Sequence, residues 1–363
     1  MDKHTSILLD LMRFTAAVFV FMDHFAQVRF SGGYLDFFSQ FGHAAVIVFF
    51  VLSGYVIAFV TDTKDKNIHA FYISRFARLY SVVLPVLIIV PILNFIGLSV
   101  NEIIYEGKNQ SNYYPIRLFL NFTFLQEIWF FSIRYLTDGP LWSLGYEFWY
   151  YVLFSFAIFL QGYKRYLLMG FTALLIGPKI LLLMPTWILG VWIYRFHKTK
   201  EVNKNLARLF LFLAPVLLYI FFKDQGTPVI DLSFLGDFGY SKYFIHDYST
   251  AIFLGLFILS FKYADIALIK KFLIKHERSI RYFASTTFTL YLFHFPLLLF
   301  YGAILNHNPN STQDIILLGV ITFVTCLLIA EYTERKKYIF KKYIAIVYEK
   351  ILQKLHISNL PVK

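Results

Sequence analysis

Charge is what this 363-residue chain has least of. Only 15% of its residues are Asp, Glu, Lys or Arg, against about 25% in a soluble globular protein. That deficit argues against a soluble single-core enzyme, a coiled coil or a disordered chain. Cysteine is nearly absent too. The single Cys326 sits inside an apolar run, so there is no disulfide framework and no thiolate set for a metal. The histidines are scattered, with no pair at ligand spacing on one helix, and no metal is implied. No A-x-A-like cleavage site follows the first apolar stretch, and Arg13 interrupts it; a retained first helix is expected.

What the chain does have is apolar surface. Hydrophobic residues make up 58% and aromatics 20%. Apolar runs fall near 6–29, 41–60, 80–98, 141–160, 167–183, 184–196, 207–222, 248–262, 284–301 and 314–333. A span needs about 20 residues, so 184–196 is short. The stretch 117–131 carries Asn121, Gln126 and Glu127 and is expected to re-enter or lie in the interface. The expectation is an all-α polytopic membrane protein of about ten transmembrane helices.

The net charge of +12 supports that map. With the N-terminus inside and 117–131 not spanning, 26 of the 34 Lys and Arg fall on the inner side and 6 on the outer. This asymmetry obeys the positive-inside rule and predicts both termini in the cytoplasm. Residues 1–334 form one transmembrane domain in this reading. The tail 335–363 (YIFKKYIAIVYEKILQKL) reads as a basic amphipathic helix lying on anionic lipid.

Ionisable groups inside spans are costly, so each is a functional candidate. Arg13 and His24 are eleven residues apart, nearly three turns, and share one face of the first helix. A histidine can accept and return a proton, and a guanidinium can hold an anion or carbonyl. The competing readings are an Arg13–Asp10 pair and a hydrogen-bonded core histidine. Ser53-Gly54 permits close helix packing. Arg75 and Arg78 share a face and suit either phosphates or positive-inside anchoring. Trp142, Tyr146, Trp149, Tyr150 and Tyr151 read as an interfacial aromatic belt. Glu147 falls at the depth of His24, where it could orient the imidazole or pair with a cation. His294 lies mid-membrane before Pro296. Glu331 and Glu334 read as partners for loop arginines.

Taken in order, these segments resemble the membrane acyltransferase-3 family. The resemblance runs over residues 8–336. It rests on the Arg13–His24 spacing, FFVLSGYVI, the R-x-x-R of Arg75 and Arg78, LWSLGYEFWYY, LGVWIYR, YLFHFPLL and a final Glu334. Tyr80 stands where a proline is common, and Phe14 where a small residue is frequent.

The resemblance implies acyl transfer, usually of acetyl, to an extracytoplasmic sugar, by a stand-alone member without a hydrolase-like domain. It implies His24 and Arg13 as the essential pair; Glu147, placed by its depth, is expected to assist as a third catalytic residue. Acetyl-CoA is the expected donor, met from the cytoplasm by Arg75 and Arg78 with Ser53 nearby. Trp142 and His294 are expected on the acceptor side. The expected partners are a carbohydrate acceptor, free or lipid-linked, and membrane lipid, in a bacterial inner membrane. The rival from another class is a proton-coupled secondary transporter or flippase, which would often show inverted repeats. None is visible here.

Overall fold

The computed structural model describes residues 1–222 and 228–354. Lys223, counted among the outer charges, and the end of the basic tail, 355–363, lie outside them. Among the described residues there is no strand beyond one isolated bridge, Tyr135 to Asp138.

The chain runs through α1 (Lys3–Phe25), α2 (Val28–Ser31), α3 (Gly42–Thr63), α4 (Ile68–Val100), α5 (Tyr114–Phe122), α6 (Leu141–Phe159), α7 (Gly162–Ile176), α8 (Pro178–Thr199), α9 (Lys204–Phe222), α10 (Phe244–Ala264), α11 (Ala267–Lys275), α12 (Glu277–Ala284), α13 (Thr287–Ile304), α14 (Thr312–Tyr332) and α15 (Lys337–Lys354). Among the described residues, eight helical stretches are long and apolar enough to cross a membrane. The two other expected spans are α6, whose 19 residues are rich in Trp and Tyr, and α7, which has only 15. The protein is an all-α polytopic membrane protein.

The helix starts follow local chemistry. Asp2 caps α1 by accepting from the Thr5 amide at 2.9 Å, and Asn67 caps α4 through the Ala70 amide at 2.8 Å; each satisfies an orphan N–H of the first turn. That second cap starts α4 well before the apolar run at 80–98, so Arg75 and Arg78 belong to the helix itself.

The break expected between 183 and 184 is displaced. The helices divide at Gly177, with φ of 77°, followed by Pro178 at the first helical position. The short run 184–196 is thereby the body of a 22-residue helix, with Pro185 inside it. Residues 117–131 do not span: α5 is nine residues long, and an irregular segment leads from it to α6.

The bundle centres on α1, α3 and α13, with α3 crossing α8 and α1 crossing α3 and α13. At the α3–α8 crossing Gly54 and Gly190 face each other's helices. A Cβ on Gly54 would meet the Trp187 carbonyl oxygen, and one on Gly190 the Val51 carbonyl oxygen, both far inside contact distance. Small residues let two backbones approach this closely without a hydrophobic driving force between helices. The expected aromatic belt of α6 is instead core. Trp142, Tyr146, Trp149, Tyr150 and Tyr151 are all buried, because α6 packs between α3, α4 and α8 rather than facing lipid. The tail forms α15, which packs along α4 through contacts that include His69 Nδ1 and the Tyr348 hydroxyl at 2.9 Å.

Candidate active site

Two cavities meet inside the bundle. The inner one, about 180 Å3, is mostly apolar and is lined by Arg13, Ser53, Arg78, Glu147, Phe288 and Tyr291, among others. The outer one, about 230 Å3, is lined by Asp23, His24, His43, Trp142, Tyr240 and Tyr291. Tyr291 is common to both, and its hydroxyl shares a hydrogen bond with Ser143 Oγ at 2.7 Å. A third space of about 200 Å3 adjoins the inner cavity through Asp10, Arg13 and Arg78 and adds Arg281, Glu334 and Lys337. This end is strongly basic.

The outer cavity contains the most informative geometry. His24 Nδ1 lies 2.7 Å from His294 Nε2, and His294 Nδ1 lies 2.8 Å from the Leu290 carbonyl oxygen. A carbonyl oxygen only accepts, so His294 must carry its proton on Nδ1. Its Nε2 is then an acceptor, and His24 must donate from Nδ1. The chain of bonds fixes both tautomers and leaves His24 Nε2 with a free lone pair. His294 is fully buried behind His24. It contacts His24 but does not itself line the outer cavity, where it was expected on the acceptor side.

Glu147, expected beside His24, lies in the inner cavity. Its carboxylate accepts from Ser53 Oγ and from the Tyr151 hydroxyl, and Trp187 Nε1 donates to Ser53 Oγ at 3.2 Å. Glu147 thus sits with Arg13 and Arg78 rather than with His24, and His294, from α13, is the residue against the imidazole.

Arg13 forms the ion pair that was one of its two readings. It pairs with Asp10 at 2.7 Å, while Arg281 takes the other Asp10 oxygen at 2.9 Å. It also lines the inner cavity, where its Nε is buried without a hydrogen-bond partner. The two expected phosphate ligands separate. Arg78 lines both inner spaces and lies over the Phe288 ring at 4.7 Å. Arg75 is buried and tied to Asp65 at 3.1 Å, because α4 begins early enough to turn it toward the α3–α4 connection. Glu334 caps α13, accepting from the amides of Phe288 at 2.9 Å and Thr289 at 3.2 Å. Glu331 pairs with Arg335, four residues further along the chain, rather than with a loop arginine.

Three features escaped the sequence reading. His43 Nε2 lies 2.8 Å from the buried Asp247. The fully buried Lys179 Nζ pairs with Glu127 at 2.7 Å and donates to Ser132 Oγ at 2.9 Å. Tyr291 divides the cavities. Its position three residues before His294 in YLFHFPLL was the available clue, since i and i+3 lie on neighbouring faces of a helix.

The acyltransferase-3 profile, described as an acyltransferase domain, matches residues 7–331. The chain belongs to that family of membrane acyltransferases. It is also similar to acyltransferase MdmB of Streptomyces mycarofaciens, 32% identical over 148 residues, which cover 39% of this chain and 36% of that relative. The alignment thus reaches little more than a third of either protein. No solved structure matches the chain.

Proposed function

We propose that this protein is an integral-membrane O-acyltransferase that moves an acetyl group from cytoplasmic acetyl-CoA to a hydroxyl of an extracytoplasmic sugar, a surface polysaccharide or its lipid-linked precursor, in a bacterial inner membrane. The observation that carries the reading is the fixed tautomer chain from the Leu290 carbonyl through His294 to His24. It leaves a basic nitrogen on an imidazole that lines the outer cavity.

The donor fits the inner side. A CoA molecule combines phosphates with a long, mostly apolar arm ending in a thioester. The basic space around Arg78, Arg281 and Lys337 suits the phosphates. The apolar inner cavity suits the arm. The partnerless Arg13 Nε is a donor available to a carbonyl or amide oxygen of that arm.

The transfer balances with this chain's own groups. His24 Nε2 takes the proton of the acceptor hydroxyl as its oxygen attacks the thioester carbonyl. The tetrahedral oxyanion collapses, the C–S bond breaks and the CoA thiolate leaves. The imidazolium returns the proton to the thiolate. His294, holding Nδ1–H, stabilises the imidazolium during that interval.

The test uses membranes with equal amounts of wild type and His24→Ala, supplied with acetyl-CoA labelled in the acetyl group. Alkali-labile label is followed into glycan and glycolipid. Label in wild type that vanishes in His24→Ala is expected. Equal label in both removes His24 from the reaction. No label in either, together with substrate-driven proton flux, would establish the carrier reading instead.

A further inference from the structure

Beside the outer cavity, between α5 and the start of α6, lies a smaller pocket of about 70 Å3. It shares Gly139, Trp142 and Tyr240 with the cavity that contains His24. Asn121, Gln126 and Asp138 line it, and all three are buried at 0–1% exposure.

Each of the three presents oxygen without a well-formed hydrogen bond. Asn121 spends its amide nitrogen on the carbonyls of Arg117 at 2.9 Å and Ile133 at 3.0 Å, which leaves Oδ1 with no partner. Gln126 spends its amide nitrogen on the Leu141 carbonyl at 3.1 Å, and its Oε1 has none. The Asp138 carboxyl faces the Leu141 amide and the Arg134 guanidinium, which lines the same pocket, yet neither of its oxygens has a hydrogen bond of good geometry. Buried acceptors left unmet are costly and rare in native proteins. Three side chains in one pocket with acceptor oxygens left open, beside the single guanidinium of Arg134, make a site suited to a ligand that brings several donors.

We infer that this pocket recognises hydroxyl groups of a sugar ring seated in the outer cavity, so that Asn121, Gln126 and Asp138 select an acceptor carrying at least two hydroxyls besides the one that reacts. The pocket is too small for a ring but admits its hydroxyl-bearing edge. The Trp142 indole, stacked on Tyr240 at 4.2 Å, walls both spaces and offers an apolar surface to ring C–H groups. A simple lipid alcohol has one hydroxyl and would leave the acceptors unmet. The inference rests on the acyl-transfer reading for its purpose, but its chemistry is a binding property and is tested as one.

Purified protein in nanodiscs is titrated with octyl glucoside, octyl galactoside and octyl mannoside, with octanol and octyl tetrahydropyranyl ether as hydroxyl-poor controls. Tryptophan fluorescence and thermal shift report binding, and His24→Ala separates binding from turnover. At least one glycoside is expected to bind wild type and His24→Ala alike, while the controls do not. Gln126→Met and the isosteric Asp138→Asn are each expected to weaken that binding at least tenfold, with acetyl-CoA binding unchanged. Equal affinity for glycosides and controls, no glycoside binding, or unchanged affinity in both variants overturns the subsite. Glycoside binding lost in the variants, without any labelled acetyl transfer by wild type, keeps the subsite and overturns acyl transfer. Transfer by both variants with unchanged acceptor KM keeps acyl transfer and overturns the subsite.

Discussion

Replacing His294 by Phe keeps an aromatic ring behind His24 but removes the acceptor for its Nδ1–H. The imidazole is then free to change tautomer and to rotate. A positioned general base contributes about 10^2- to 10^4-fold. His24→Ala should lose that whole factor, and His294→Phe about a hundredfold of it, in kcat rather than in the KM of either substrate. Initial rates at saturating acetyl-CoA distinguish the two effects; a raised acceptor KM at unchanged kcat would show that His294 acts on binding instead. The residues carrying the family's motifs were legible from sequence, because their spacing along one helix survives folding. The partner of His24 was not. Depth in the membrane put Glu147 near it, and depth is all that a sequence gives for residues on different helices. Which faces meet depends on rotation, and the rotation of α13 against α1 is set by packing along the whole helix.

At the scale of elements, two contacts determine how the site's walls are held. The first is the α3–α8 crossing, which keeps Ser53 against Trp187 and Glu147. Gly54→Ala puts a methyl against backbone that cannot swing aside. Overpacking of this kind costs about 1–3 kcal/mol, and Gly54→Leu should prevent folding. Thermal unfolding in detergent measures the difference, and a Gly54→Ala protein as stable as wild type would mean that the helices separate freely. The second is the Lys179–Glu127 pair, which ties the irregular segment after α5 to the start of α8. Lys179→Met alone strands a buried carboxylate, at about 3–5 kcal/mol. The double replacement Lys179→Met with Glu127→Gln should recover most of that loss. Equal melting of single and double variants would show the pair to be dispensable. Eight of the about ten expected spans are legible as apolar length among the described residues; α6 and α7 are not marked by it. The divide lies at Gly177, six residues before the expected break, and Pro185 falls inside α8. Within membranes a helix-interior proline is tolerated when neighbours re-satisfy the backbone, and the left-handed Gly177 followed by Pro178 is the stronger stop.

For the molecule as a whole, the arrangement is two cavities in series across the bundle, a basic, apolar-lined one and a polar one, divided at Tyr291. With the termini inside, as the charge asymmetry predicts, the basic end opens to the cytoplasm. Cys326 is buried, so single cysteines introduced at exposed Ser39 and Lys64 can be tested with an impermeant maleimide on intact cells. Ser39→Cys should label and Lys64→Cys should not, and the reverse pattern would invert the topology. The division itself has a chemical consequence. A thioester reaching Tyr291 from one side is screened from water on the other by the Tyr291 ring and its bond to Ser143; excluding water from a reactive group suppresses its hydrolysis. Tyr291→Ala opens a direct path between the cavities. Without acceptor, it should release free CoA thiol from acetyl-CoA about tenfold faster than wild type, since water then competes where it was excluded. Tyr291→Phe keeps the ring, loses only the bond to Ser143, and should fall between the two. The added double variant Tyr291→Ala with His24→Ala discriminates the route. If leakage uses the same base as transfer, thiol release falls back to the wild-type level; if release stays high, water attacks the thioester through the opened path without His24.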